Sequence, residues 1–363
     1  MNRRGVALAA NIPETFFSIA PDVPVTVVAF GASDMMGVPW ETIVPMFARQ
    51  LGTQTYATLE EYGASFFAFI ERSNALFPAK LQAERARRCI ASVWTDYRDR
   101  IEAIADERAT MSAAERRAEL ATILREDRHE YEGRSDAAAL GQGFGAHVVA
   151  TYAGQIDELE ADTFADLQLT QELRAELRSV LALMYEKEWC HPHDESGIAL
   201  AGMGDDEPFP SVLVYSVGSV LAGRLRYMRG EAVNIGADLE AAVVPFANRE
   251  TIDTIVDGIH PDLIGAIRGE LNDAAIGPHG IRIKSDLQAH VEEHHVAPFI
   301  SAVAQLPRRE MARLAEALVT VSTFAETAGV ATLSRAGGFA WVTHDNPVRY
   351  PNQRLYYGTA RSE

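Results

Sequence analysis

The residues with the most direct chemical reading are His290-Val-Glu-Glu-His294. On an α-helix, side chains four apart share a face. His290 and His294 could then hold one zinc ion with Glu293 as the base, the H-x-x-E-H arrangement. His295 adjoins the pair, and Glu310 or Glu316 would have to supply a third ligand. The competing reading is the polar face of a long helix. A second cluster is Cys190, His191, His193 and Asp194, where alternate residues of an extended segment share a side; a turn role competes with a metal there. Asp205, Asp206 and Glu207 form an acidic run without the spacing of a calcium loop, which reads as a solvated hairpin tip. Gly141, Gly143 and Gly145 have no strand before them, so they read as a break between helices and not as a dinucleotide fingerprint. Trp40 and Trp341 sit in apolar surroundings and read as core. The earliest hydroxyl side chains, Thr15 and Ser18, are the first possible nucleophiles.

The elements that must position these residues follow from periodicity. Gly5 to Ala10 is short and apolar and is broken by Asn11, Pro13 and Glu14, which predicts an internal strand better than an export signal. Val23 to Phe30 is β-branched and predicts a buried strand ending at a Gly31 turn. Helices are predicted at 39–51 and 59–77. From 79 to 190 Gly and Pro are scarce, and Ala, Arg, Glu and Leu recur at helical spacing. Strands are predicted at 196–203, 211–217 and 219–227. Helices follow at 248–259, 261–272 and 285–323, then strands at 329–334 and 338–343 with a turn at 335–337. The tail from Asp345 reads as an extended arm.

The chain has 363 residues, 47% of them apolar, which fits a globular protein with a full core. Its net charge of −18 argues against nucleic-acid or anionic-membrane partners. The 79–190 block holds 15 basic and 22 acidic residues, so the acidity is spread along the chain and reads as a solubility feature. Two cysteines, and no apolar run long enough to span a bilayer, predict a reduced cytoplasmic setting. Of 33 basic residues only Lys80, Lys187 and Lys284 are lysine.

Strand and helix runs in this order resemble the αββα sandwich of the N-terminal-nucleophile (Ntn) hydrolases, in particular an uncharacterised bacterial branch of proteasome-like proteins. The resemblance is carried by Val27-Val-Ala-Phe-Gly-Ala-Ser-Asp34, Gly37-Val-Pro-Trp-Glu-Thr-Ile43 and Leu59-Glu-Glu-Tyr62. It continues in Ala201-Gly-Met-Gly-Asp-Asp-Glu-Pro-Phe-Pro-Ser211, Val244-Pro-Phe-Ala247 and Asp253-Thr-Ile-Val-Asp-Gly-Ile-His-Pro261. Leu314-Ala-Glu-Ala-Leu318 and Gly337-Gly-Phe-Ala-Trp341 complete it. It covers roughly 12–77 and 196–343. The implied fold class is α+β, a four-layer αββα sandwich divided as 1–78 and 191–345, with an all-helical insertion at 79–190 and a C-terminal arm at 346–363.

The family's chemistry uses an N-terminal Thr, Ser or Cys whose own α-amino group is the base. A strand lysine and an aspartate near that terminus tune it, and a backbone N–H at a Gly turn serves as oxyanion donor. Gly31 matches that turn. This sequence begins with Met, and its second-strand match, Gly5 to Ala10, runs into Asn11 where the family has Asp-Ser or Asp-Arg. It has no lysine before Lys80. Arginine cannot substitute, because its charge and fork geometry differ. The resemblance therefore implies a proteasome-related, self-associating protein of uncertain or lost hydrolase activity, with the helical insertion as a partner surface and no cofactor. Two alternatives are an active amidohydrolase or peptidase with an upstream N-terminus, and a zinc hydrolase built on His290, Glu293 and His294.

Overall fold

A computed structural model describes residues 1–10, 16–19, 23–108, 111–189, 195–246, 249–270, 277–323 and 329–342. The chain is α+β with antiparallel sheets. Strands β1 (Val6–Ala10), β2 (Phe16–Ser18) and β3 (Val25–Phe30) lead into two minimal strands, β4 (Asp34–Met35) and β5 (Val38–Pro39). Helices α1 (Trp40–Leu51) and α2 (Leu59–Arg72) follow. Thr58 and Glu61 form a reciprocal capping box at the start of α2, which satisfies backbone donors a helix leaves open.

A five-stranded sheet runs β2-β3-β6-β7-β8, with β6 (Ser196–Gly202), β7 (Ser211–Leu221) and β8 (Arg224–Asn234). Alternation assigns its faces. Val25, Val27, Ile198, Leu200, Leu213 and Tyr215 share a core with Trp40, Ile43, Phe47, Phe66 and Ile70 of α1 and α2. Phe16, Val28, Ala199, Ala201 and Val212 belong to a different core. There they meet Val6, Leu8, Ala331, Leu333 and Phe339 of a three-stranded sheet, β1-β9-β10, with β9 (Gly329–Ser334) and β10 (Gly338–Trp341). Gly5, at φ +142, lies so near β9 that a Cβ there would sit 2.2 Å from the Leu333 carbonyl oxygen.

Helices α3 (Ala79–Glu107), α4 (Ala113–Glu132), α5 (Phe144–Thr151), α6 (Ala153–Thr163) and α7 (Gln171–Glu186) have a core of their own around Trp94, Leu124, Val148, Ile156 and Leu177. This block grips the β7–β8 turn. Gln82 accepts from the Gly223 N–H, the Tyr152 hydroxyl from the Ala222 N–H, and Arg226 donates to the Met184 carbonyl at 2.9 Å. Gly141 and Gly143, at φ +77 and +79, break the chain before α5. Gly145 serves packing instead: a Cβ there would sit 1.8 Å from the Ala182 carbonyl oxygen of α7.

The last third carries α8 (Arg249–Asp257), α9 (Pro261–Glu270), α10 (Gly277–Val291), a π-helical turn (Glu292–Val296), α11 (Ala297–Gln305) and α12 (Arg308–Thr323). Helix α12 packs on β1 and β9, and α8 packs on α12.

Several boundaries differ from the sequence expectation: the helix predicted over 59–77 ends at Arg72, the one predicted from 285 begins at Gly277, and two further differences have a clear physical reason. The strand predicted to end at Val217 continues to Leu221, and its partner begins at Arg224. The turn is Ala222-Gly223, with φ +47 and +77, a two-residue hairpin loop of the kind that matches strand twist. The helix predicted over 285–323 is divided. Pro298 has no N–H to give the carbonyl four residues back, so the preceding turn widens, and Pro307 ends α11.

Candidate functional site

The Gly31 turn is built by the end of β3 and the entry to α1. Gly31 is exposed and takes φ +81, a region that disfavours any residue with a Cβ. A Cβ there would have room, meeting only the Gly197 nitrogen at 3.8 Å, so backbone conformation alone asks for glycine. The turn is braced by the Trp40 N–H donating to the Ser33 carbonyl at 3.2 Å and the Gly37 N–H to Asp34 Oδ1 at 2.7 Å. The Ser196 hydroxyl holds the Asp34 carbonyl at 3.2 Å.

This turn forms one wall of an apolar cavity of about 420 Å³. The other walls are β1, the segment Val243–Phe246 and α12. Met1 also lines it, and the Met1 α-amino group donates to the Ala242 carbonyl at 2.6 Å. Burial pushes that amine down from its usual value near 8 to about 6. Trp40 is buried, as expected, yet it contributes to this wall as well as to the core, and its indole N–H is buried without an acceptor. Sequence reasoning placed Trp40 in the core and missed the cavity. Only the approach of β1, β3 and α12 creates it.

The other candidates are placed as follows. The His290 and His294 rings stand 4.3 Å apart, with His295 6.3 Å from His290. All three, and Glu293, are exposed. His294 lies in the π-helical turn, so the α-helical spacing assumed for the motif does not hold through it. His295 packs over Gly258, where a Cβ would meet its ring nitrogen at 2.5 Å. Glu310 pairs with Arg313 at 3.0 Å. Among the described residues no group of three or more His, Cys, Asp or Glu side chains is arranged to hold a metal ion.

The acidic run is more than a solvated tip. Glu207 accepts from the Leu59 N–H of α2 at 2.9 Å and the Gly204 N–H at 2.7 Å, while Asp205 and Asp206 donate backbone N–H groups to Tyr56 and Ala57. Ser18 lies inside β2, opposite Thr26 of β3. Thr15, Cys190, His191, His193, Asp194 and the C-terminal arm lie outside the described residues. No described helix is long and apolar enough to cross a membrane. Compared with protein families, with curated proteins and with solved structures, the chain matches none.

Proposed function

We propose that the chain is a proteasome-related Ntn-hydrolase-fold protein that self-associates and does not hydrolyse amides by the family's mechanism. The observation that carries the reading is the layering. Helices α1 and α2, the five-stranded sheet, the three-stranded sheet and α12 pack in that order, and β3 runs into a left-handed Gly31 turn before α1. That order supports an αββα sandwich. The reading on activity rests on composition: no lysine occurs in residues 1–79 to take the tuning role.

Self-association is supported by α8 to α10. Among its described residues α9 buries no side chain and α10 only Val291 at its end, and Ile255, Leu263 and Ile283 are 41%, 54% and 46% exposed. The insertion makes the weaker partner surface. Its exterior is laced with ion pairs such as Arg98–Asp166, Arg128–Glu176 and Arg178–Asp157, and no large apolar side chain among its described residues is exposed.

The test is mass photometry together with turnover of fluorogenic peptides and simple amides. Assemblies at multiples of 39.7 kDa and turnover no greater than a heat-inactivated control are expected. A single species near 40 kDa, or steady hydrolysis, would sink the proposal.

A further inference from the structure

Distance, exposure and charge agree at the His290–His294 pair. The two ring centres stand 4.3 Å apart, with their planes inclined at 50°. Two imidazoles that share one ion side by side, each nitrogen about 2.1 Å from it, hold their ring centres roughly 4.5–5 Å apart. A small rotation of either side chain therefore closes a chelate. Both residues are exposed, so neither ring has to leave a core to bind.

The backbone sets this spacing. His290 lies in the last turn of α10, and His294 in the π-helical turn that the Ala297 N–H closes onto the Glu292 carbonyl. Turns of this kind are frequent at functional sites. On an unbroken α-helix His295, five residues beyond His290, would point about 140° away from it. Here its ring lies 6.3 Å from that of His290 and packs over Gly258, so a third imidazole stands beside the pair without joining it.

The surroundings favour a cation. Glu292 and Glu293 are exposed in the same turn. Asp257, next to Gly258, has its carboxyl pushed up by burial first and then by the charges of Asp253 and Glu292, with Arg268 opposing. Carboxylates gathered on one side of the pair raise the local concentration of positive ions. Imidazole suits zinc, copper and nickel. A hydrolytic zinc centre takes three protein ligands, and among the described residues no group of three is arranged for one. The pair fits reversible capture better than hydrolysis.

We propose that His290 and His294 chelate one divalent transition-metal ion within a single chain, with water in its remaining positions. The site is independent of whether the chain is a proteasome relative, since it lies on α10 and the turn after it.

The test is a titration of nickel(II) into the whole protein, followed by NMR at the Val291 and Glu293 amide resonances. The paramagnetic ion broadens these, so binding elsewhere on the chain is not counted. His290→Asn, His294→Asn and His295→Asn are titrated alongside; all three positions are exposed, which keeps their effect on folding small. Loss of either chelating ring should weaken binding about tenfold or more, because one imidazole is left to hold the ion. His295→Asn should stay within about twofold of the parent. The proposal is overturned if the two resonances stay sharp in the parent, or if His290→Asn or His294→Asn binds as tightly as the parent. It is equally overturned if His295→Asn weakens binding as much as they do, or if nickel pairs chains in mass photometry and so shows one ion shared between two copies.

Discussion

At the scale of single residues, two glycines make the same kind of contact at different cost. A Cβ at Gly145 would strike the backbone of α7, at 1.8 Å from the Ala182 oxygen. At Gly197 it would strike the Phe30 ring at 2.0 Å, and Phe30 is only half-buried. Backbone cannot yield without moving a helix, whereas a ring near a surface can turn. Gly145→Ala should therefore cost about 2–3 kcal/mol and Gly197→Ala about 1 kcal/mol, read as urea midpoints. Equal costs would contradict the packing described. The Met1 amine gives a pH signature when it is the free terminus. Its folded value of about 6 lies below its ordinary 8, so between pH 8 and 6 the unfolded chain binds more protons. Stability from this group is then complete above pH 8, falls as pH drops through that window and levels off below 6. The loss is about 2–3 kcal/mol. An Nα-acetylated chain lacks this titration, so the difference between the two chains should follow that curve; parallel profiles would refute it.

At the scale of elements, the loop between β6 and β7 acts as an external cap on α2. Glu207 holds the Leu59 N–H at the helix start, across 148 residues of sequence, while Thr58 and Glu61 cap the same end locally. Arg335, in the β9–β10 turn, donates to the Gly204, Asp205 and Glu207 carbonyls and so ties the small sheet to this loop. Glu207→Ala should cost about 1–2 kcal/mol in thermal or urea unfolding, because it leaves half-buried N–H groups unpaired. Asp206→Ala, at an exposed neighbour, should stay within about 0.5 kcal/mol. The sequence marked these three residues as acidic and turn-forming but could not show that one of them reaches α2. The HxxEH motif is a related case: the His290 and His294 rings do come within 4.3 Å, on a turn that Pro298 widens.

At the scale of the whole molecule, the helical block and the sandwich are joined at the β7–β8 hairpin. Leu221, at the end of β7, belongs to the helical core. The acidity of the chain is distributed over both parts, and much of it in the block is matched by arginine in surface ion pairs. Such pairs contribute little singly, which fits a solvated exterior better than a docking face. The apolar exposure on α8 to α10 marks a more suitable assembly face. Replacing Leu263 and Ile283 by glutamate together should reduce any assembly to a species near 39.7 kDa without lowering thermal stability, since neither side chain is buried. A mass distribution unchanged by the double variant would move the interface elsewhere.

What the sequence determined by itself is local. Hydrophobic period identified the β3 strand before the Gly31 turn, the Ala/Arg/Glu/Leu-rich helical block and the β9–β10 hairpin, because 2.0 and 3.6 residue repeats are written in neighbouring side chains. The absence of lysine before Lys80 is likewise a fact of sequence. What only the tertiary structure decided is where separated segments meet. Glu207 reaching Leu59, β1 standing at a sheet edge, Trp40 keeping an unmatched donor and the cavity beside it all depend on contacts between distant parts of the chain. Periodicity tells each element which face to bury, and it carries no information about which partner covers that face or how much space is left between them.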